Sequence, residues 1–239
     1  MKPIVLKLVA SVVVTLTACS SKEHKIVSID EASGISYCQN TDTLMVANDE
    51  GSLYEITPKG EILSRHKIGK YDLEGVVCED DSVTLAVEDG ALLIVDRKSL
   101  QTKELKIKGN GFKFSKKSGI EGIAKIDNLY YLAIQSKNKE DAKILVVKAG
   151  KNYAKIKKII NHGIIDSAGM EYHNKKLYIV SDKKDKLYIY NLKTDKVLKK
   201  IKLDKFAQEG VSFDKSGNIF FADDNGAVFR YKKSELGVK

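Results

Sequence analysis

One short glycine motif returns five times along the chain, and a period of that size restricts the available folds more than any other feature. Ser33-Gly34-Ile35, Glu74-Gly75-Val76, Glu121-Gly122-Ile123, Ala168-Gly169-Met170 and Glu209-Gly210-Val211 each set a glycine between a small or acidic residue and an apolar one. The glycines lie 41, 47, 47 and 41 residues apart. Behind each comes a short apolar strand, a polar turn such as Asp127-Asn128 or Asn174-Lys175, and then a second and a third apolar strand. A lysine-rich alternating strand closes the unit, as in Lys103 to Ile107 and Val197 to Leu203.

Four antiparallel strands every 40 to 50 residues are the pattern of a β-propeller blade, and five copies predict an all-β, five-bladed β-propeller. The fifth copy stops after its third strand, Val228 to Tyr231, while Ile26 to Asp30 ahead of Gly34 has the character of a fourth. The last blade is therefore expected to be closed by the N-terminal strand, which removes the open edges of a linear array. An open sandwich of the same strands would explain neither the fixed glycine nor the split unit. With 43% hydrophobic residues and two prolines in 239 residues, the chain has the composition of a folded globular protein.

The N-terminus reads as an address. Lys2 and Lys7 precede the uncharged stretch Leu8 to Ala18, which is too short to span a bilayer, since a membrane helix takes about 20 residues. Leu16-Thr17-Ala18-Cys19 resembles the bacterial lipobox, in which cleavage before the cysteine is coupled to its lipidation. Two or three acyl chains on Cys19 would form a stable anchor. The alternative is an ordinary secretory signal with a chance cysteine. The expected organisation is a lipoprotein signal peptide at 1–18, an anchor and tether at 19–23 and the propeller at 24–239. Ser20 after the cysteine points to the outer membrane where the cell has one.

The net charge of +9 does not indicate a nucleic-acid partner. Only Arg65, Arg97 and Arg230 among 41 basic residues are arginines, so the surface is lysine-solvated and lacks bidentate phosphate readers. With Cys19 lipidated, Cys38 and Cys78 remain as a pair. Cys38 lies four residues after Gly34 and Cys78 three after Gly75, which turns them to opposite faces of equivalent strands and argues against a disulfide unless an insertion or bulge restores the register.

The ordered set Ser-Gly-Ile, Asp72-Leu73-Glu74-Gly75, Ile120-Glu121-Gly122-Ile123-Ala124, Asp166-Ser167-Ala168-Gly169 and Gln208-Glu209-Gly210-Val211 resembles the SdiA-regulated, YjiK-like family of bacterial envelope propellers. The resemblance runs over about residues 25 to 232 and implies fold and compartment but no molecular activity. Two positions depart from it. Ala168 stands where the fourth motif usually carries serine, and Gln135-Ser136 replaces an acidic residue of the third unit.

In a propeller the first strand of each blade is innermost, so Glu74, Glu121 and Glu209 should converge on one axis, where like charges raise one another's pKa. A second ring is expected at the ends of the second strands, from Asn48 and Asp49, Glu88 and Asp89, Gln135, Asp182, and Asp223 and Asp224. Hard oxygens from several directions suit Ca²⁺. The competing reading is that the glutamates cap backbone amides of neighbouring strands and that the acidic pairs are hairpin turns. No Gly-x-Ser-x-Gly, His-Glu-x-x-His or phosphate-cradling loop occurs, and no catalytic residue is assigned. The sequence thus suggests a monomeric, lipid-anchored binding or scaffold module with a protein, glycan or small-molecule ligand. A lactonase- or phytase-like metal-dependent hydrolase using the same acidic channel is the alternative.

Overall fold

The computed structural model describes residues 21–115 and 118–238; Cys19 and the signal segment lie outside them. After one helical turn, α1 (Ser21–His24), the described chain is built from β-strands, with a single 3-10 turn at Asp182–Lys184. The first meander is β2 (Ala32–Cys38), β3 (Thr43–Asn48), β4 (Ser52–Ile56) and β5 (Ile62–Lys67), which follow the short β1 (Lys25–Val27). The second is β6 (Leu73–Cys78), β7 (Ser82–Val87), β8 (Ala91–Asp96) and β9 (Thr102–Lys108). The third is β10 (Ile120–Ile126), β11 (Leu129–Ile134), β12 (Lys143–Ala149) and β13 (Ala154–Asn161). The fourth is β14 (Ser167–His173), β15 (Lys176–Ser181), β16 (Lys186–Asn191) and β17 (Lys196–Lys202). Then come β18 (Gln208–Phe213), β19 (Asn218–Asp223) and β20 (Ala227–Lys232).

Every meander is antiparallel and ordered as in sequence. The last three strands are completed by β1, which pairs with β20 through Lys25 and Val27. β9 and β13 touch along a two-residue parallel bridge that joins the second and third meanders into one eight-stranded sheet.

The first strands of the meanders run side by side, and the repeated glycine is what lets them. A Cβ on Gly34 would lie 2.6 Å from Gly75 Cα, and one on Gly75 would lie 2.9 Å from Ile123 Cγ2. Gly122 meets Ala168 and Gly169, Gly169 meets Gly210, and Gly210 meets Ile35, next to the starting glycine. The contact order returns on itself, and the backbones approach too closely for any side chain.

Each of the five apolar clusters is shared by two successive meanders. Cys38, Met45, Ala47 and Leu53 pack on Leu73, Val76, Val83 and Leu85, for example, while Ile35, Leu44 and Tyr54 pack on Phe220, Ala222 and Val228. The core is therefore a set of seams between sheets, closed between the last meander and the first.

These seams overturn the expectation for the cysteines. Cys38 and Cys78 are bonded, with Cα atoms 5.4 Å apart. The parity argument itself holds: Cys38 sits on the face of β2 turned toward the second meander, and Cys78 on the face of β6 turned back toward the first. Opposite faces of two sheets stacked side by side are the faces that meet, so opposite parity is the condition for this bond.

Candidate functional site

Strand direction gives the molecule two ends. The innermost strands start at what we term the upper end and finish at the lower one, where Phe213 pairs with Ile219 and Lys232 with Asn218. The ring of glycines leaves only about 10 Å³ of free space on the axis, room for about one water, so the upper and lower mouths are separate sites.

At the upper mouth Glu74, Glu121 and Glu209 converge as expected. Burial, then Glu121, Asp72 and Glu209 push the Glu74 carboxyl up to about 10. Burial, then Glu88, Asp166 and Asp72 push Glu121 up to about 7, against the opposing charge of Lys183. Burial and the charge of Glu121 hold Glu209 well above the usual carboxylate range. Lys183 is itself occupied, its Nζ 2.6 Å from Asp166 Oδ1. Asp182 faces the same mouth and is raised by burial and by Asp166 and Asp185. Glu88 lies against Gly119 at the start of β10 and adds its charge to Glu121.

Asn48 and Asp223 are placed differently. Asn48 Oδ1 accepts the Ser52 amide at 2.7 Å, and Asp223 Oδ1 accepts the Ala207 amide at 2.9 Å and the Asn225 amide at 3.2 Å. Both close hairpins. The acids that face the mouth from those meanders are the following residues, Asp49 and Asp224, both raised by burial, Asp49 also by Asp224 and Asp72 and Asp224 also by Glu31. Among the described residues no three of His, Cys, Asp or Glu are arranged to hold a metal ion.

The glycine ring, the closed order of contacts and the acidic mouth have a counterpart in sequence comparison. The family model described as SdiA-regulated matches residues 14–231. The chain belongs to the SdiA-regulated family. No curated protein matches this SdiA-regulated chain by sequence. Among solved structures it is similar to the crystal structure of Myxococcus xanthus glutaminyl cyclase, with a TM-score of 0.65 and 12% identity over 87% of this chain and 92% of that one. At that identity the likeness is one of fold, all-β and propeller-like.

The lower mouth was not read from the sequence. It is a cavity of about 320 Å³ lined by the Cys38–Cys78 bridge, Glu79, Lys125, Glu171 and Tyr172. Glu79 is held ionised: burial works against its charge, but Lys125, Tyr130 at 2.6 Å and Thr84 at 2.9 Å donate to it and bring its pKa below normal. Glu171, on the inner strand β14, is pushed up to about 8 by burial. Its position two residues after Gly169 repeats that of Ser36 after Gly34 and Val77 after Gly75, which line the same cavity, so the signal was the inward parity of the strand.

The histidines keep away from the acidic mouth. His66 is on the outer strand β5 and His24 in α1, while His173 lies at the lower end with Lys233 2.8 Å from its Nε2. His162 is turned into the core, packed edge-on to Tyr190 and held neutral by burial, its pKa lowered to about 4.

Proposed function

We propose that this SdiA-regulated protein is a five-bladed β-propeller, lipid-anchored through Cys19 and acting as a binding or scaffold module in the cell envelope. In this reading the meanders are blades and β1 closes the last. The observation that carries it is the site where the N-terminus docks. His24 stacks on Tyr231 with ring centroids 3.9 Å apart, and its Nδ1 donates to the Arg230 carbonyl oxygen at 3.1 Å, which ties α1 to the lower end of β20. The tether at 19–23 spans at most about 18 Å when extended. A lipidated Cys19 thus keeps the lower face near the bilayer and presents the acidic upper mouth to the surrounding space.

The Cys38–Cys78 bridge supports export, because such bonds persist in oxidising compartments. Among the described residues no helix is long and apolar enough to cross a membrane. We further propose that the upper mouth takes a cation, Ca²⁺ being the ion its hard oxygens suit, which would require its carboxylates to draw closer together than they stand. Both the convergence of the three glutamates and their upward shifts support that assignment.

Intact-mass and peptide analysis of the protein extracted from membranes tests the anchor. A mature N-terminus at Cys19 carrying diacylglycerol, and a Cys19→Ser variant retained as the uncleaved precursor, are expected. A mature chain that starts elsewhere without lipid would overturn the proposal.

A further inference from the structure

The second residue after each repeated glycine is Ser36, Val77, Ala124, Glu171 or Ser212, so a single inner strand carries a charged group at this position. The serines serve the ring. Ser36 Oγ accepts the Cys78 amide at 3.0 Å and Ser212 Oγ accepts the Tyr37 amide at 2.9 Å, each tying its strand to the next. Glu171 does not repeat this. Its carboxyl makes no hydrogen bond or ion pair with any described residue, and burial is the sole cause that displaces its titration. A carboxyl withdrawn from water without a partner is unfavourable in its charged form unless a ligand brings the opposite charge.

Glu171 remains reachable, being partly exposed to the lower-mouth cavity of about 320 Å³, which is at the small end of ligand sites. Tyr172 beside it is also partly exposed, and Val77 and the Cys38–Cys78 bridge add apolar surface. Lys125 is the one base among the lining residues. Glu79 takes its Nζ, which also lies 5.5 Å from the centre of the Tyr130 ring. Of the cations at the same end, Arg97 is held by Glu55 at 3.2 Å, Lys215 by Asp42 at 3.6 Å and Lys233 by His173 at 2.8 Å. Asp80 and Asp127 stand exposed at the rim, so the charge balance of the lining is negative.

We propose that the lower mouth binds a small organic ammonium ion, with Glu171 as its counter-charge. A divalent metal needs several hard oxygens around one point, and among the described residues no three acids are so arranged. An organic ammonium needs one carboxylate and is favoured by an aromatic face, since its charge is attracted by the ring. An anion would meet Glu79 and Glu171, with the lining's one base already paired. The site is independent of the anchor and of any cation at the upper mouth, from which the glycine ring separates it.

Glu79, Lys125, Asp80, Asp127, Tyr37 and Tyr172 share the cavity, so the test reads the Glu171 carboxyl itself. The full chain, ¹³C-labelled at its glutamate carboxyls and held in a nonionic detergent, is followed by NMR as pH is raised, with the Glu171 signal assigned through its backbone. The titration is run in equal concentrations of potassium, ethylammonium and tetramethylammonium chloride. In potassium the midpoint is expected at about 8. A cation that binds the ionised carboxyl lowers it, to about 7 when present at about ten times its dissociation constant. A larger effect of ethylammonium would assign a hydrogen-bonded primary amine, and of tetramethylammonium a quaternary ion held by the aromatic face. Glu171→Gln keeps the size of the protonated acid and should weaken binding of the effective probe at pH 8.5 about tenfold or more. The same midpoint in all three salts, or affinity unchanged in Glu171→Gln, would overturn the proposal.

Discussion

Glu121 stands among Glu88, Asp166 and Asp72 with Lys183 as the opposing charge, and its titration has a definite sign. A carboxyl whose folded pKa is raised binds its proton more tightly in the folded state, so folding is favoured below the unfolded value near 4.5. That contribution is lost as pH rises through about 7 for Glu121 and about 10 for Glu74. In chelator, the melting temperature should therefore fall as pH is raised from about 5 to about 9. Glu121→Gln should flatten the fall, and millimolar Ca²⁺ should reverse it by binding the folded state. Identical melting curves at pH 8 in EDTA and in Ca²⁺ would reject a cation at the mouth. The convergence of these glutamates was legible because each precedes a glycine whose crowding is repeated. Asn48 and Asp223 were misplaced because a hairpin cap and a rim residue are adjacent in sequence, and composition cannot say which of Asn48 or Asp49 faces inward.

The Cys38–Cys78 bond closes a loop across a sequence separation of 40, and constraining a loop of that size in the unfolded chain typically stabilises by about 2–4 kcal/mol. Chemical denaturation of the Cys38→Ala, Cys78→Ala double variant should show a loss of that order, whereas stability equal to wild type would mean the bond is absent from the native protein. Its invisibility in sequence has a simple cause. Strand parity predicts which face of a sheet a residue takes, but not which faces two neighbouring sheets turn toward each other.

Among the elements, β1 is short and irregularly paired, three residues against the five anticipated from Ile26 to Asp30. Its contribution comes as much from Ile29, 2% exposed in the seam with Val228 and Phe220, as from its ladder. Deleting residues 21–30 would expose the β20 edge and uncover that seam. A loss of about 3 kcal/mol or more is expected from Ile29 together with the partly buried Ile26 and Val27, accompanied by self-association through the free edge. Equilibrium denaturation and sedimentation check both, and a truncated monomer with wild-type stability would contradict ring closure by the N-terminal segment. Strand order was readable because each unit repeats one pattern. The β9–β13 bridge was not, since pairing between the outer strands of different units depends on how far the sheets splay, a property of the assembled ring.

At the scale of the whole molecule, chain direction sorts function between two ends. The N-terminal turn, the disulfide and the Glu79–Lys125 pair occupy the lower end, while the acidic mouth and the long β11–β12 connection occupy the upper one. If Cys19 is acylated, this polarity becomes an orientation relative to the bilayer, and that orientation is the claim on which the account turns. Single cysteines carrying a fluorophore, at Lys193 or Lys215 on the lower turns and at Glu50 or Lys205 on the upper ones, can be compared in liposomes whose lipid headgroups bear a spin-label quencher; all four positions are exposed. The account predicts strong quenching at Lys193→Cys and Lys215→Cys and little at Glu50→Cys and Lys205→Cys. Equal quenching at both ends, or stronger quenching at the upper one, would contradict it.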